Sequence, residues 1–413
     1  MIIYNLVILL YGLVIRIASV KNSKAKFWVD GRKHWRKELS QKIENKKGGK
    51  KVWVHCASLG EFEQGRPLME AIKKKYPDYK IILTFFSPSG FEGSKDYNGA
   101  DIISYLPLDT RSNAKDFIEI VKPDFAIFIK YEFWINFLNE MKRAKINSYL
   151  VSAVFKNHHP FFKWYGGIFV RSLQAFKTLF VQDENSSNLL NSIGYNNVEI
   201  TGDTRFDRVL EIKSNFKPIP EIEAFKGNNK LIIAGSTWSD DDDIVISTFK
   251  KLNGHNIKLI IAPHEIDDKS IEEIIIKLRK YQLDFSLFTD GVKNECNVLI
   301  LNTMGMLSRS YFYADFAYIG GGFNDGIHNI LEPAVYCIPV IFYGKDFSKF
   351  NEAIELVKMG CAFNVLSEEE LIKSCNNLLQ NHKFLEKLKS DLDTYFAKKR
   401  SATAQLMKAI DFS

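Results

Sequence analysis

The chain reads as an α/β protein built from two doubly wound parallel-sheet domains, and three observations lead there. Its 413 residues exceed what one ordinary core accommodates. Beyond residue 50, apolar runs of strand length alternate with amphipathic stretches of helical period, the pattern of parallel strands joined by crossover helices. That alternation comes in two sets, separated by a stretch rich in proline and mixed charge between Lys213 and Asn229.

The elements follow in chain order. Met1 to Ile15 carries no charge, and with Arg16 placed to snorkel the apolar stretch reaches Val20, at the short end for a spanning helix. No basic segment precedes it. Residues 1–20 therefore predict an uncleaved membrane anchor or a helix lying in the interface rather than a cleaved signal peptide, with a buried N-terminal helix as the alternative. Between Lys21 and Lys51 twelve Lys and Arg residues stand against Asp30, Glu38 and Glu44, so residues 21–50 form a basic membrane-proximal segment and much of the net charge of +7 sits there. Basic residues behind an apolar segment predict that the main body stays on the cytoplasmic side of the membrane. The run lacks interleaved stacking aromatics in a recognised module, which argues against nucleic-acid binding.

A first domain is predicted over residues 51–212, with strands in KVWVHCAS (51–58), KIILTFFS (80–87), DIISYLPL (101–108), FAIFIKY (125–131), INSYLVSA (146–153) and TLFVQD (178–183). Residues 213–229 read as a linker. A second domain over 230–384 carries LIIAGST (231–237), IKLIIAPH (257–264), NVLILNT (297–303), FAYIGGGF (316–323) and PVIFYG (339–344), and residues 385–413 read as C-terminal helix. The five cysteines show no metal spacing and are odd in number, as expected of reduced, mostly buried thiols.

In open α/β sheets ligands lie beyond the carboxyl ends of strands, so the residues that follow each strand are the ones to search. The stretch FAYIGGGFNDGIHNILEP (316–333) runs from an apolar strand into three glycines and then into Asn329 and Glu332, which are predicted to open a helix. Glycines let the backbone approach a ligand, a helix start offers N–H groups to an anion, and Glu332 can hold a ribose diol. The alternative is a glycine turn that only tightens strand-to-helix packing. Glu61 follows VHCASLG at a strand-helix junction, placed either as a general base towards an alcohol or as a first-turn acid favoured by the helix dipole. Ser236 and Thr237 end a strand with hydroxyls suited to phosphate, as do Gly321 and Gly322 with backbone amides; Pro263-His264 ends the next strand, with His264 a donor to a nucleotide or a structural residue. Lys130 and Glu132 read as a structural pair, and Asp240 to Asp243 as a solvated helix start rather than a metal site.

Taken in order, WVHCASLGEF, the EFW after the fourth strand, GDTRFD (202–207), AGST (234–237), the TMG of Thr303 to Gly305 and the GGGFNDGIHNILEP block resemble the motif series of the 3-deoxy-D-manno-octulosonic acid (Kdo) transferases of lipopolysaccharide assembly. The resemblance implies the GT-B glycosyltransferase architecture, two Rossmann-like domains facing a cleft with a membrane-facing N-terminal half. It implies transfer of Kdo, without metal or cofactor, from CMP-Kdo to the 6'-hydroxyl of a lipid A precursor. By that resemblance Glu61 is the general base and Arg205 stands where the family usually has a Lys thought to stabilise the transition state. The CMP site then comprises Pro263, His264, Met304, Gly305, Met306, Asn329, Ile330, Leu331 and Glu332, with Ser236, Thr237, Gly321 and Gly322 towards the donor phosphate.

Three departures from the family pattern stand out. Pro263-His264-Glu265 replaces Pro-Arg-His, Lys130 replaces the first acid of Glu-x-Glu, and Met306-Leu307 follows the TMG where Glu-Leu is usual. Two other readings remain: a GT-B nucleotide-sugar epimerase or a transferase using another donor, and a non-catalytic membrane-surface scaffold.

Overall fold

The computed structural model describes residues 1–46, 48–252, 256–324, 326–399 and 401–412. The chain divides into two compact units, Met1–Arg208 with Arg400–Ser413, and Val209–Lys399.

The first unit is built on a seven-stranded sheet of β1 (Lys51–Cys56), β2 (Lys80–Phe85), β3 (Ile102–Tyr105), β4 (Phe125–Ile129), β5 (Asn147–Ala153), β6 (Thr178–Val181) and β7 (Val198–Ile200), in the order β3-β2-β1-β4-β5-β6-β7. The second carries β8 (Lys230–Thr237), β9 (Ile257–Pro263), β10 (Phe285–Leu287), β11 (Val298–Ile300), β12 (Phe316–Ile319), β13 (Val340–Tyr343) and β14 (Ala362–Val365), ordered β10-β11-β9-β8-β12-β13-β14. Every strand pair is parallel. The strand order reverses between β1 and β4 in one sheet and between β8 and β12 in the other, and these switch points are where such sheets hold ligands.

The apolar runs form strands because both faces of each sheet are covered. Along β1, Val52 and Val54 face one core with Leu68, Met69 and Ile72, while Trp53 enters the opposite core against Phe117, Phe128 and Phe137. Trp53 is fully buried and donates its indole N–H to Thr84 Oγ1 at 2.8 Å. Its truncation to alanine would cost about 3–5 kcal/mol.

Among the described residues three helices precede β1: α1 (Ile2–Ala18), α2 (Ser23–Asp30) and α3 (Trp35–Glu44). α1 has 17 residues, which at 1.5 Å rise is roughly 25 Å, short of a bilayer core of about 30 Å. Among the described residues no helix is long and apolar enough to cross a membrane. α1 instead packs one face on the first unit, where Ile8 and Gly12 are buried, Tyr4 donates to Asp109 Oδ2 at 2.5 Å and Asn5 Oδ1 accepts from Asn136 Nδ2 at 2.9 Å. Its other face exposes large apolar side chains from Ile2 to Ile17.

Arg32, in the basic segment, does not face solvent. Its guanidinium lies over Trp28, Phe86 and Tyr105 and donates to the carbonyls of Leu106, Trp28 and Phe86, which docks α2 onto the sheet. Burial pushes its pKa down to about 9. Residues 213–229, expected as a linker, carry helix Pro220–Lys226, and the division between units falls earlier, inside helix Thr204–Ser214. Among its described residues the C-terminal segment carries two helices. His382–Ala397 belongs to the second unit, whereas Ala402–Ala409 returns to the first, where Leu406, Ile410 and Phe412 complete the core beside β1 and β2.

Candidate active site

In the first unit the candidate residues gather beyond the carboxyl ends of β1 and β4. Glu61 lies in the first turn of α4 (Leu59–Lys75), and Ser58, the N-cap, turns its hydroxyl to Glu61 Oε2 instead of to a backbone amide. One turn on, Gln64 is buried and donates Nε2 to Asp203 Oδ1 at 3.2 Å. Asp203 in turn accepts from Arg205 Nε at 2.9 Å and Nη2 at 2.6 Å, which fixes the guanidinium with most of its surface covered. Burial pushes the Asp203 carboxyl up, but Arg205, with Lys130 as a further positive charge, holds it below the usual carboxylate range. The structure therefore brings Glu61, Lys130 and Arg205 into one region through Gln64 and Asp203.

Glu132 is not simply the partner of Lys130. It accepts from Trp134 Nε1 at 2.6 Å and pairs with the buried His55 at 3.2 Å, while Lys130 takes a left-handed backbone with φ of 68°. Cys56 lies among these acids: burial first, then Glu61 and Glu132, push its thiol well above the ordinary range.

In the second unit the glycine block is shaped by close approach. A Cβ on Gly320 would meet Ser236 O at 2.5 Å, one on Gly322 would meet Tyr343 O at 1.4 Å, and Gly321 has φ of +97°. The block folds onto the end of β8, where Ser236 also takes a left-handed φ of 54°. Asp241 locks the junction, accepting from Trp238 N, Gly321 N and Tyr318 OH at 3.0, 2.9 and 2.7 Å.

Several expectations change here. Asp241 and Asp242 are buried, not solvated; burial raises both, Asp242 to about 7. The Gly321 amide already donates to Asp241, and Thr237 is buried beside Asp242, so Ser236 and Gly322 are left as the phosphate-side candidates. The helix after Asn329 is a single turn, Leu331–Ala334, too short for a useful dipole. Ile330 and Leu331 point into the core and offer a ligand only their backbone.

Glu332 is pre-oriented from two sides, accepting from Ser308 Oγ at 2.9 Å and Asn329 Nδ2 at 3.2 Å. Ser308 belongs to helix Leu307–Ser310, which starts directly after Met304-Gly305-Met306, where Gly305 has φ of +78° and Met304 is exposed. His264, following the partly exposed Pro263, stacks on Trp238 at 4.6 Å and on His328 at 4.4 Å, and Trp238 Nε1 donates to His328 Nε2 at 3.1 Å. Burial, and then His264, push His328 down to about 4, so its ring is neutral and accepts that bond. The predicted nucleotide residues thus share one sheet end. Among the described residues no group of three or more His, Cys, Asp or Glu could hold a metal.

Gln64, Asp203, Trp238, Asp241 and Ser308 were not singled out from sequence. Two of them carried a local signal: Asp203 stands two residues before Arg205 in GDTRFD, and Asp241 occupies the third helical position, where a carboxylate reaches back to the N-cap amide.

A family model described as 3-deoxy-D-manno-octulosonic-acid transferase (kdotransferase) matches residues 33–208. The 3-deoxy-D-manno-octulosonic acid transferase of Aquifex aeolicus is 31% identical over 346 residues, covering 82% of this chain and 88% of that protein. A bifunctional glycosyltransferase/methyltransferase of Fusobacterium nucleatum is 27% identical over 387 residues, 90% of this chain but 59% of its own length. In fold, the chain is similar to UDP-GlcNAc 2-epimerase from Neisseria meningitidis (TM-score 0.60, 14% identity, 86% of this chain and 98% of that one). It is likewise similar to MurG of Acinetobacter baumannii (TM-score 0.56, 12% identity, 87% and 99%). Each of the two units repeats the Rossmann-like sheet of that two-domain class. With motifs in order and a relative above 30% identity matched over most of its length, the chain belongs to the 3-deoxy-D-manno-octulosonic acid transferase family of glycosyltransferases.

Proposed function

We propose that this protein transfers Kdo from CMP-Kdo to the 6'-hydroxyl of a lipid A precursor in lipopolysaccharide assembly, with inversion, at the cytoplasmic face of the inner membrane. The observation that carries this reading is the division of labour between the two switch points: Glu61 at a helix start and a guanidinium held by Asp203 at one, and a glycine-lined nucleotide cradle at the other. Glu61 takes the proton of the acceptor hydroxyl as its oxygen attacks the anomeric carbon of Kdo, and the bond from that carbon to the CMP phosphate oxygen breaks. Arg205, immobilised by Asp203, meets the negative charge that develops. In the second unit Glu332 receives the ribose hydroxyls, and the Met304-Gly305-Met306 loop presents backbone groups to the cytosine. α1 lies in the membrane interface with its apolar face in lipid, and the exposed Lys21, Lys24 and Lys26 meet anionic headgroups.

The test is mass spectrometry of the product formed from CMP-Kdo and a tetra-acylated lipid A precursor by the native chain and by Glu61→Gln. The native chain is expected to add Kdo, and the variant to bind CMP-Kdo without forming product. Full transfer by the variant would remove Glu61 from the role of base.

A further inference from the structure

Trp164 is 96% exposed and Tyr165 is exposed beside it, at the tip of the segment that follows β5. The tip is braced, not loose. Phe161 is buried and packs on Phe133 at 4.6 Å and on Phe155 at 5.4 Å, and Gly166 closes the loop so tightly that a Cβ there would meet Pro160 O at 2.0 Å. A large ring held out into water on a rigid base gives up apolar burial and keeps an indole N–H for a polar boundary, the residue chemistry found at membrane interfaces.

The position of the tip says what it meets. It leaves the carboxyl end of β5, the sheet edge that also holds Glu61 after β1. α1 lies on that edge too: Tyr4 bonds Asp109, beyond β3, and accepts from Ile135 N, beyond β4, while Asn5 bonds Asn136. The segment after β4 also touches the Trp164 loop, through Tyr131 on His159 at 5.7 Å and Phe133 on Phe161. The apolar face of α1 and the Trp164 tip therefore stand at one end of the first unit, flanked by exposed Lys21, Lys24, Lys26 and Lys163.

We propose that Trp164 and Tyr165 form a second contact with an anionic phospholipid bilayer, so that the first unit sits on the membrane by two separated points and its Glu61 edge is held towards the lipid. One interfacial helix resists rocking of the unit about the helix axis only across the width of its apolar face; a second contact away from that axis opposes it far more strongly. The proposal rests on the interfacial reading of α1 given above.

The experiment is flotation of the full chain with vesicles of phosphatidylcholine containing phosphatidylglycerol, and with phosphatidylcholine alone, for native protein and for Trp164→Ala/Tyr165→Ala. Binding to the anionic vesicles is expected to weaken at least about tenfold in the variant, the scale of losing the partial burial of two aromatics. With acyl chains brominated near the headgroup, native emission should be quenched and Trp164→Phe should lose most of that quenching. Unchanged flotation in the double variant together with unchanged quenching in Trp164→Phe would overturn the second contact while leaving α1 as the sole anchor. A lipid-free dimer that the double variant abolishes would overturn it in favour of self-association. Transfer to detergent-solubilised acceptor should be retained by the variant; absence of transfer by every form sinks the transferase reading, and flotation then still decides the loop.

Discussion

The two units wind their sheets alike around β1/β4 and β8/β12, yet they use the carboxyl edge in opposite ways. The first presents charged side chains, with Glu61 contacted by Ser58 and Arg205 held by Asp203. The second presents backbone, drawn close by Gly320, Gly321 and Gly322 and pinned by Asp241 from below. A switch point is thus only a location, and what it does depends on whether the loops there carry side chains out or bring backbone in. Substitutions in the first should therefore change chemistry more than stability, and in the second stability and affinity more than chemistry.

The sharpest contrast is Glu61→Gln, which keeps the hydrogen bond to Ser58 but cannot take a proton. Transfer should fall by roughly 10²- to 10⁴-fold with the melting curve unmoved, read by single-turnover kinetics and calorimetry. Gly322→Ala should do the reverse. Its methyl has nowhere to go against Tyr343 O, so the second unit should lose about 3 kcal/mol or more in denaturant melts, whereas Gly305→Ala, with open space and only a left-handed φ to resist it, should lose about 1 kcal/mol.

Asp242 makes the same point through pH. Its folded pKa, raised by burial to about 7 from an ordinary 3.8, means that its protonated form is favoured, so its contribution is present in acid and lost as pH rises through about 7. Asp242→Asn should therefore gain on the native protein between those values, by on the order of 4 kcal/mol, seen in the difference between their urea midpoints across the range. The difference isolates Asp242 from His328, which acts in the opposite sense: lowered from 6.5 to about 4, it favours the folded state above its ordinary value and loses that contribution as pH falls. The smallest expected effect is Ser308→Ala, which removes one of the groups that orient Glu332. CMP affinity by titration calorimetry should weaken about fivefold, close to 1 kcal/mol, with the transfer rate at saturating donor unchanged.

The central strands were legible because their apolar runs are long and buried on both faces. β7, β10 and β14 were not, being short, of three or four residues, and placed at or near sheet edges where half-exposed side chains blur the pattern. The helix expected after Asn329 shrank to one turn, since Pro333 sits within it and Cys337, at φ of 62°, soon turns the chain. Asp240 to Asp243 looked uniformly solvated, yet helical periodicity turns Asp241 and Asp242 inward and leaves Asp240 and Asp243 outside.

By itself the sequence determined the α/β class, the two sets of strands, the family motifs and the placing of Glu61 and the glycine block after strands. Those properties are written in short-range period and in the bare chemistry of glycine and acid. Only the tertiary structure decided that Gln64 reaches Asp203 across 139 residues, that Asp241 reaches Gly321 across 80, and that the last helix rejoins the first unit. Each of these satisfies a buried polar group or an apolar face from a distant part of the chain, and such a partnership leaves no periodic trace around either residue.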